Sequence, residues 1–226
     1  MARVKETHFF DDESRDWSQP DYAQLDAFFD PPDGRLRGEA TPAILYWRTA
    51  IPRLAAYNAQ MRIVLILRNP VTRAFAQWRK THADGNDTLA FAEAIRAWPG
   101  RVRDAAEACG LHRTWSYVER GFYGAQLTHL REHFPPRQIH VEIFEEFFAD
   151  RAAGLARLSE FLCIGPFPDA MPDIHRFPAK AMDYPSRLSD ADIDYLKHVY
   201  RDDIAMLEAM LGRAIPSWHQ TVKEDA

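Results

Sequence analysis

The stretch LILRNPVTRAFAQW, Leu65 to Trp78, sets Arg68 at the end of an apolar run, Asn69-Pro70 directly after it, and Arg73 about one helical turn further on. Asn is a good helix N-cap and Pro a good first helical residue, so a helix is expected to begin at once. A helix N-terminus offers unpaired N–H groups and the positive end of the dipole, and both favour an anion. Two arginines beside it can bind a phosphate, bidentately where the geometry allows. The alternative for both is pairing with surface carboxylates. Other chemistries find less support. No Gly-x-x-x-x-Gly-Lys-(Ser/Thr) exists, which removes P-loop kinase chemistry. Cys109 and Cys163 lack a positioned His-Asn partner for nucleophilic catalysis. His112, His129, His133 and His140 show no ligand spacing with cysteines or acids, so no metal is expected.

The elements that must position the arginines follow from the surrounding pattern. RIVLIL (62–67) is a continuous β-branched apolar run, as expected of a strand buried on both faces of a parallel sheet. The helix after it should run to about His82. DTLAFAEAIRAW (87–98) reads as a second helix, capped by Asp87 or Thr88 and stopped before Pro99-Gly100. RGFYGAQLTHLREHF (120–134) is a helix ended by Pro135-Pro136, and QIHVEIFEEF (138–147) alternates as a strand does. RAAGLARLSEFL (151–162) is an amphipathic helix, and a last helix spans 188–212 from a Ser189-x-x-Asp192 cap to Gly212. Residues 30–42 read as a loop with at most a short strand at Leu36–Glu39, and 167–185 as an ordered loop. Strands alternating with helices imply an α/β fold, a three-layer sandwich with a parallel sheet. Arg68 then lies at the carboxyl end of a parallel strand, where open α/β sheets usually bind ligands.

At 226 residues the chain is expected to form one domain, 1–226. With 46% hydrophobic and 27% charged residues it has an ordinary globular composition, and a net charge of −5 argues against a general nucleic-acid partner. No run approaches the ~20 apolar residues of a membrane span. The N-terminus MARVKETHFFDDESRDW has no apolar stretch of the signal-peptide kind, and two cysteines cannot make a disulfide framework. A soluble, cytoplasmic protein without a membrane partner is the expectation.

LRNPVTRAFAQW resembles the 3′-phosphate-binding segment of the sulfotransferase family, in the form Arg-x-Pro-x-x-Arg-x-x-Ser. KETHFF (Lys5–Phe10) is similar to that family's Lys-Glu-x-His-Phe-Phe, and GEATP (38–42) to its Gly-Glu-x-(Ser/Thr)-Pro strand end. ERGFYGAQLTHLREHFPPRQIHVEIFEEF resembles the helix and strand that follow, and the closing segment through IPSW the C-terminal helix and its Trp. The likeness is greatest to the branch containing heparan sulfate N- and 3-O-sulfotransferases and their bacterial relatives. It covers nearly the whole chain, with the motifs in the family's order.

The resemblance implies a P-loop-NTPase-like sulfotransferase fold and 3′-phosphoadenylyl sulfate (PAPS) as co-substrate, with no metal. The acceptor would be a hydroxyl or amine of a carbohydrate or small molecule. It implies that Glu6 is the catalytic base, that His8 orients the acceptor or the base, and that Arg68 and Arg73 hold the 3′-phosphate. Lys180, in FPAKAMDYP, falls where relatives carry a basic loop that closes over the cofactor, although Ala181 and Met182 replace its glycine and arginine. Tyr117, Arg120 and Tyr123 are further candidates to line the pocket. The family serine of the phosphate motif is Ala76 here, leaving Gln77 or a water to substitute. A Lys-containing, Gly-rich 5′-phosphosulfate loop on an N-terminal strand precedes Glu-x-His-Phe-Phe in the family. Here the sequence starts at Met1, four residues before Lys5, so that strand and loop are expected to be missing, as from a truncated gene start. The alternative is a non-catalytic, sulfotransferase-derived protein that holds a nucleotide through Arg68 and Arg73.

Overall fold

The computed structural model describes residues 1–30, 34–104, 112–168, 184 and 186–219. In chain order the elements are α1 (Ala23–Asp26), α2 (Ala43–Tyr46), α3 (Ala50–Tyr57), β1 (Ile63–Leu67), α4 (Pro70–Ala83), α5 (Phe91–Asp104) and α6 (Tyr123–His133). There follow β2 (Ile139–Ile143), α7 (Phe144–Ala149), α8 (Arg151–Leu162), α9 (Asp190–Leu211) and α10 (Pro216–His219). β1 and β2 pair in parallel, from Ile63 opposite Ile139 to Leu67 opposite Ile143.

Alternation along the two strands decides what each face meets. Ile63, Leu65 and Leu67, with Ile139, Val141 and Ile143, turn toward a core that includes Leu54 of α3, Leu127 and Leu130 of α6, and Leu207 of α9. The opposite face meets α8. Arg157 donates to both Glu142 oxygens at 2.8 and 2.6 Å, and the His140 ring stacks on Phe161 at 5.0 Å between centroids. Helices therefore cover both sides of a parallel sheet, as the strand–helix alternation implies. The expectation that β1 is buried on both faces is corrected. α8 sits over β2, and Ile66 is left 46% exposed. Among the described residues β2 is the one strand paired with β1.

A second core joins α4, α5 and α9 through Val71, Phe75, Trp78, Phe91, Ile95, Leu196 and Tyr200. α4 and α9 match their sequence reading closely. Asn69 Oδ1 accepts from Val71 N at 2.9 Å, Ser189 caps Asp192, and Gly212 ends α9 at φ +68°, a left-handed conformation that suits glycine. α5 differs: it starts at Phe91 and runs through Pro99-Gly100 to Asp104. Asp87 does not cap it. That buried carboxylate takes both Arg101 donors, at 2.9 and 3.0 Å, and the Tyr117 hydroxyl at 2.9 Å. The bidentate bond from Arg101 holds the turn beyond Pro99 in place, against the loss of one backbone bond at the proline.

The strand read at 138–147 stops at Ile143, and the rest forms α7. Phe147 is buried there against Gly154 of α8, where an added Cβ would lie 2.4 Å from the ring. A strand through this stretch would lose that packing. Leu36–Glu39 forms no strand, although Gly38 O accepts from Ala2 N at 2.8 Å. Most of the 167–185 loop, with Lys180, lies outside the described residues. No described helix is long and apolar enough to cross a membrane.

The N-terminal segment is stapled to the helices by Glu13. Its carboxylate accepts from Trp47 Nε1 and Thr49 Oγ1, both at 2.6 Å, and from Arg53 at 3.0 and 2.6 Å. The Arg53 bonds, helped by Thr49 and Trp47, hold its pKa down to about 2 against the cost of burial. A depressed carboxylate contributes stability that is present above its ordinary 4.5 and lost as pH falls toward about 2. Glu13→Gln is therefore expected to lower Tm at neutral pH and to flatten the fall of Tm across that acid window. Thermal unfolding from pH 7 to pH 2 reads both, and parallel curves for the two proteins would refute it.

Candidate active site

Two segments distant in sequence build the N-terminal half of the site. Thr41 Oγ1 accepts from the Thr7 and His8 amides at 3.0 and 3.3 Å and donates to Glu39 Oε2 at 2.7 Å. The 38–42 segment thus pins Lys5–Phe10, while Phe9 and Phe10 are buried in the core. His8 is held at φ +49°, a left-handed conformation that costs a non-glycine residue on the order of 1–3 kcal/mol. An extended segment would put Glu6 and His8 on one face. Here they meet across this kink instead, with His8 Nε2 3.3 Å from Glu6 Oε2. Glu6 is 29% exposed, and Lys5 Nζ lies 3.0 Å from its other oxygen.

Behind His8 stands Asp11, which is 0% exposed. Its Oδ2 lies 3.0 Å from His8 Nδ1 and accepts from Arg113 Nη1 at 2.5 Å, while Arg113 Nη2 donates to the Asp11 carbonyl. An ionised carboxylate only accepts, so Asp11 fixes a proton on Nδ1 and leaves Nε2 toward Glu6. The Arg113 guanidinium lies over the Trp47 ring, 3.9 Å from its centroid.

The second half lies where β1 enters α4. Asn69 caps the helix, and its own N–H donates to Glu145 Oε1 at 2.8 Å. Glu145 Oε2 in turn takes Trp218 Nε1 at 2.9 Å. Two amides at this helix entry are thus occupied internally, contrary to the expectation of N–H groups open to an anion. An anion here would be met chiefly by side chains. Arg68 Nε donates to Thr72 Oγ1 at 3.0 Å, with the guanidinium over the Phe144 ring at 5.6 Å. Arg73 donates to Gln77 Oε1 at 2.7 Å and to the Tyr117 carbonyl, and its buried Nε has no hydrogen-bond partner among the described residues.

Arg120 completes the cluster. It donates to Ser116 Oγ at 2.9 Å and to the Arg113 carbonyl at 3.0 Å. Burial draws its pKa down to about 10, and the like charges of Arg73 and Arg113 act the same way. Among the described residues none of Arg68, Arg73 and Arg120 pairs with a carboxylate, whereas Arg53, Arg101 and Arg157 each hold one. Glu119 is beside them, but burial pushes its pKa up to about 7, and its Oε2 is buried without a partner among the described residues. The cluster is short of negative charge and has donors to spare. It fits a phosphate or sulfate group.

The structure thus brings Glu6 to His8 and Arg73 to Arg120, while Arg68 and Arg73 keep separate partners. Tyr117 and Tyr123 act as supports. Tyr117 is buried with its hydroxyl on Asp87, and the Tyr123 hydroxyl donates to the Arg68 carbonyl at 3.0 Å. Gln77, next to Ala76, is engaged by Arg73 and donates to Thr114 O at 3.4 Å. Asp11, Arg113, Glu119 and Glu145 escape the sequence reading. Asp11 follows His8 at a spacing that is informative only once the kink at His8 is known, and Glu145 is hidden in a stretch that reads as strand.

The reading that the histidines show no ligand spacing with an acid is corrected at one place. His129, Glu132 and His133, three and four residues apart, share one face of α6, and their ligand atoms lie within 4.8 Å of one another.

No profile of a known protein family matches the chain. It is 29% identical over 130 residues to human heparan sulfate glucosamine 3-O-sulfotransferase 3B1, covering 58% of this chain and 32% of the relative. It is 30% identical over 131 residues to human heparan sulfate glucosamine 3-O-sulfotransferase 6, covering 58% and 36%. The matched stretch therefore spans about a third of each curated relative. The crystal structure of a sulfotransferase from Alicyclobacillus acidocaldarius superposes with a TM-score of 0.77 at 25% identity, over 97% of this chain and 87% of that one. Partial likeness in sequence and a fold shared over almost the whole chain make this protein similar to sulfotransferases.

Proposed function

We propose that the protein transfers a sulfuryl group from PAPS to a hydroxyl or amine of a carbohydrate or small-molecule acceptor. The observation that carries this is the chain of contacts from Glu6 through His8 and Asp11 to Arg113 and Arg120, which ends beside Arg73. It sets a proton acceptor at one end and uncompensated cations at the other. Sulfuryl transfer from a nucleotide needs both.

In this reading the acceptor oxygen or nitrogen attacks sulfur in line, and the bond from sulfur to the 5′-phosphate oxygen breaks. Its electrons leave with adenosine 3′,5′-bisphosphate. The acceptor's proton passes to Glu6 as the new bond forms. Asp11 keeps Nδ1 of His8 protonated, so Nε2 can share the proton that reaches Glu6. Arg68 and Arg73 take the 3′-phosphate, and Arg120 adds positive potential behind Arg73. Positioning and charge stabilisation supply most of the catalysis in such displacements. The test combines calorimetry with adenosine 3′,5′-bisphosphate and transfer from PAPS to a panel of sugars, phenols and amines. Binding with turnover supports the enzyme, and binding without turnover on any acceptor supports a nucleotide-holding protein. Absence of nucleotide binding would overturn both.

Glu119 gives the site a pH dependence. Burial raises its pKa from 4.5 to about 7, so it is largely neutral below that and anionic above. Once ionised, it offsets the charge of Arg73 and Arg120 and competes with a bound phosphate. Affinity for adenosine 3′,5′-bisphosphate relative to Glu119→Gln is therefore expected to fall several-fold between pH 6 and pH 8. The ligand's own titration is common to both proteins and cancels in the ratio. The same raised pKa stabilises the fold fully below 4.5, and that contribution is lost as pH rises through about 7. A ratio independent of pH would show that Glu119 does not act on the bound anion.

A further inference from the structure

We infer that His129, Glu132 and His133 of α6 bind a divalent transition-metal ion of the zinc class at a surface site separate from the sulfuryl-transfer residues. Histidines four residues apart on a helix stack on one face, and a carboxylate three residues after the first lies on the same face beside them. The ligand atoms already lie within 4.8 Å of one another, with His129 Nδ1 and Glu132 Oε2 at 2.8 Å. A tetrahedral zinc site with bonds of about 2.0–2.2 Å needs donors roughly 3.4 Å apart. Rotation of the Glu132 side chain, 60% exposed, and of the partly exposed His133 ring can close the remainder.

An independent observation comes from the other nitrogen of His129. Nε2 lies 3.0 Å from the Arg48 carbonyl oxygen. A carbonyl only accepts, so the proton of the neutral ring sits on Nε2 and Nδ1 presents a lone pair. That lone pair faces the Glu132 carboxylate at 2.8 Å, and two acceptors at this distance need a cation between them. Either a second proton or a metal ion meets the requirement. A metal-binding histidine almost always has its other N–H fixed by a carbonyl or carboxylate, which is what Arg48 provides. The half-buried His129 is thereby oriented before any ion arrives, its side chain 18% exposed.

Three protein donors leave a fourth position to solvent, as the exposure of Glu132 allows. Imidazole with one carboxylate suits zinc, nickel or copper better than magnesium or calcium. The ion would tie the last turn of α6 through His129 to the Arg48 carbonyl. Arg48 directly follows Trp47, whose ring lies under Arg113 of the candidate active site. The site is therefore placed to stiffen the α2–α3 connection, without contact to the reacting groups.

The test is titration of the full, tag-free chain with zinc chloride near pH 7.5, read by calorimetry and by Tm. One zinc per chain and a rise in Tm are expected for wild type, since an ion that binds only the folded form stabilises it. His133→Gln and Glu132→Gln should each bind at least about tenfold more weakly, because losing even an outer partner of a metal ligand commonly costs ~10–100-fold. Glu132→Gln changes an exposed carboxylate and keeps the test valid should His133→Gln fold poorly. His198→Gln on α9, a histidine outside this cluster whose Nδ1 faces Arg201, should bind as wild type does. No saturable one-to-one binding by wild type, or unchanged affinity in either α6 variant, overturns the proposal and assigns the gap to a proton.

Discussion

Arg68→Ala is expected to weaken binding of adenosine 3′,5′-bisphosphate about 10- to 100-fold. Arg68 ends β1 with no carboxylate partner among the described residues, and its guanidinium is held by Thr72 and the Phe144 face. Charge-assisted hydrogen bonds to a phosphate contribute ~1.5–3 kcal/mol, and each ~1.4 kcal/mol is a factor of ten in Kd. Because Glu145 and Asn69 already occupy two amides at the α4 entry, the backbone can replace little of what the arginine supplies. Arg68→Lys should fall between the two, since a lysine keeps the charge and loses the planar fork. Lys80→Ala serves as the control: Lys80 is exposed at the far end of α4, 2.8 Å from Asp84, and should leave affinity unchanged. Calorimetry at fixed ionic strength, with Tm measured alongside, separates lost binding from lost folding. Equal affinity for wild type and Arg68→Ala would remove Arg68 from the phosphate site.

What was legible in the sequence follows the range of the interactions. The β1–Asn69–Pro70–α4 junction is coded locally: an apolar run, an N-cap and a proline at the first helical position all lie within a few residues. The start of α9 at Ser189 and its end at Gly212 are local in the same way. α5 misleads because its course depends on Arg101 reaching back to Asp87, a contact that no reading of Pro99-Gly100 contains. The strand through 138–147 fails for a similar reason. Phe147 alternates acceptably, but it has Gly154 as a partner only once α8 is packed. β1 is apolar enough for burial on both faces, and Ile66 is exposed because α8 lies over its neighbour.

The same distinction runs through the site. Arg68, Arg73, Glu6 and His8 lie in short motifs and can be found by inspection, whereas their supports cannot. Asp11 meets His8 because His8 itself is left-handed and folds the chain back, and Arg113 arrives from 102 residues away. Glu119 is unremarkable in sequence, and burial alone moves its pKa. Metal-ligand spacing at His129 and His133 is readable in retrospect, since positions four apart on a helix coincide. The Arg48 carbonyl that settles the histidine's tautomer is not.

Glu6→Gln is expected to lower kcat for sulfuryl transfer by ~10²–10⁴, the usual worth of general-base help, with little change in KM for PAPS. The amide keeps the size of the side chain and loses the ability to take a proton at Oε2, the atom that faces His8 Nε2. Arg68 and Arg73 are untouched by the change, so nucleotide binding should persist, and calorimetry can verify this in the same preparation. Asp11→Asn should give a smaller loss. Its amide can still contact the ring, but it no longer fixes the Nδ1 proton, so the His8 tautomer becomes mixed while Glu6 remains. A variant that changed only the fold would lose kcat and nucleotide affinity together. If Glu6→Gln retains wild-type kcat on an acceptor that wild type sulfates, proton removal falls to another group, and the Glu6–His8–Asp11 chain is structural.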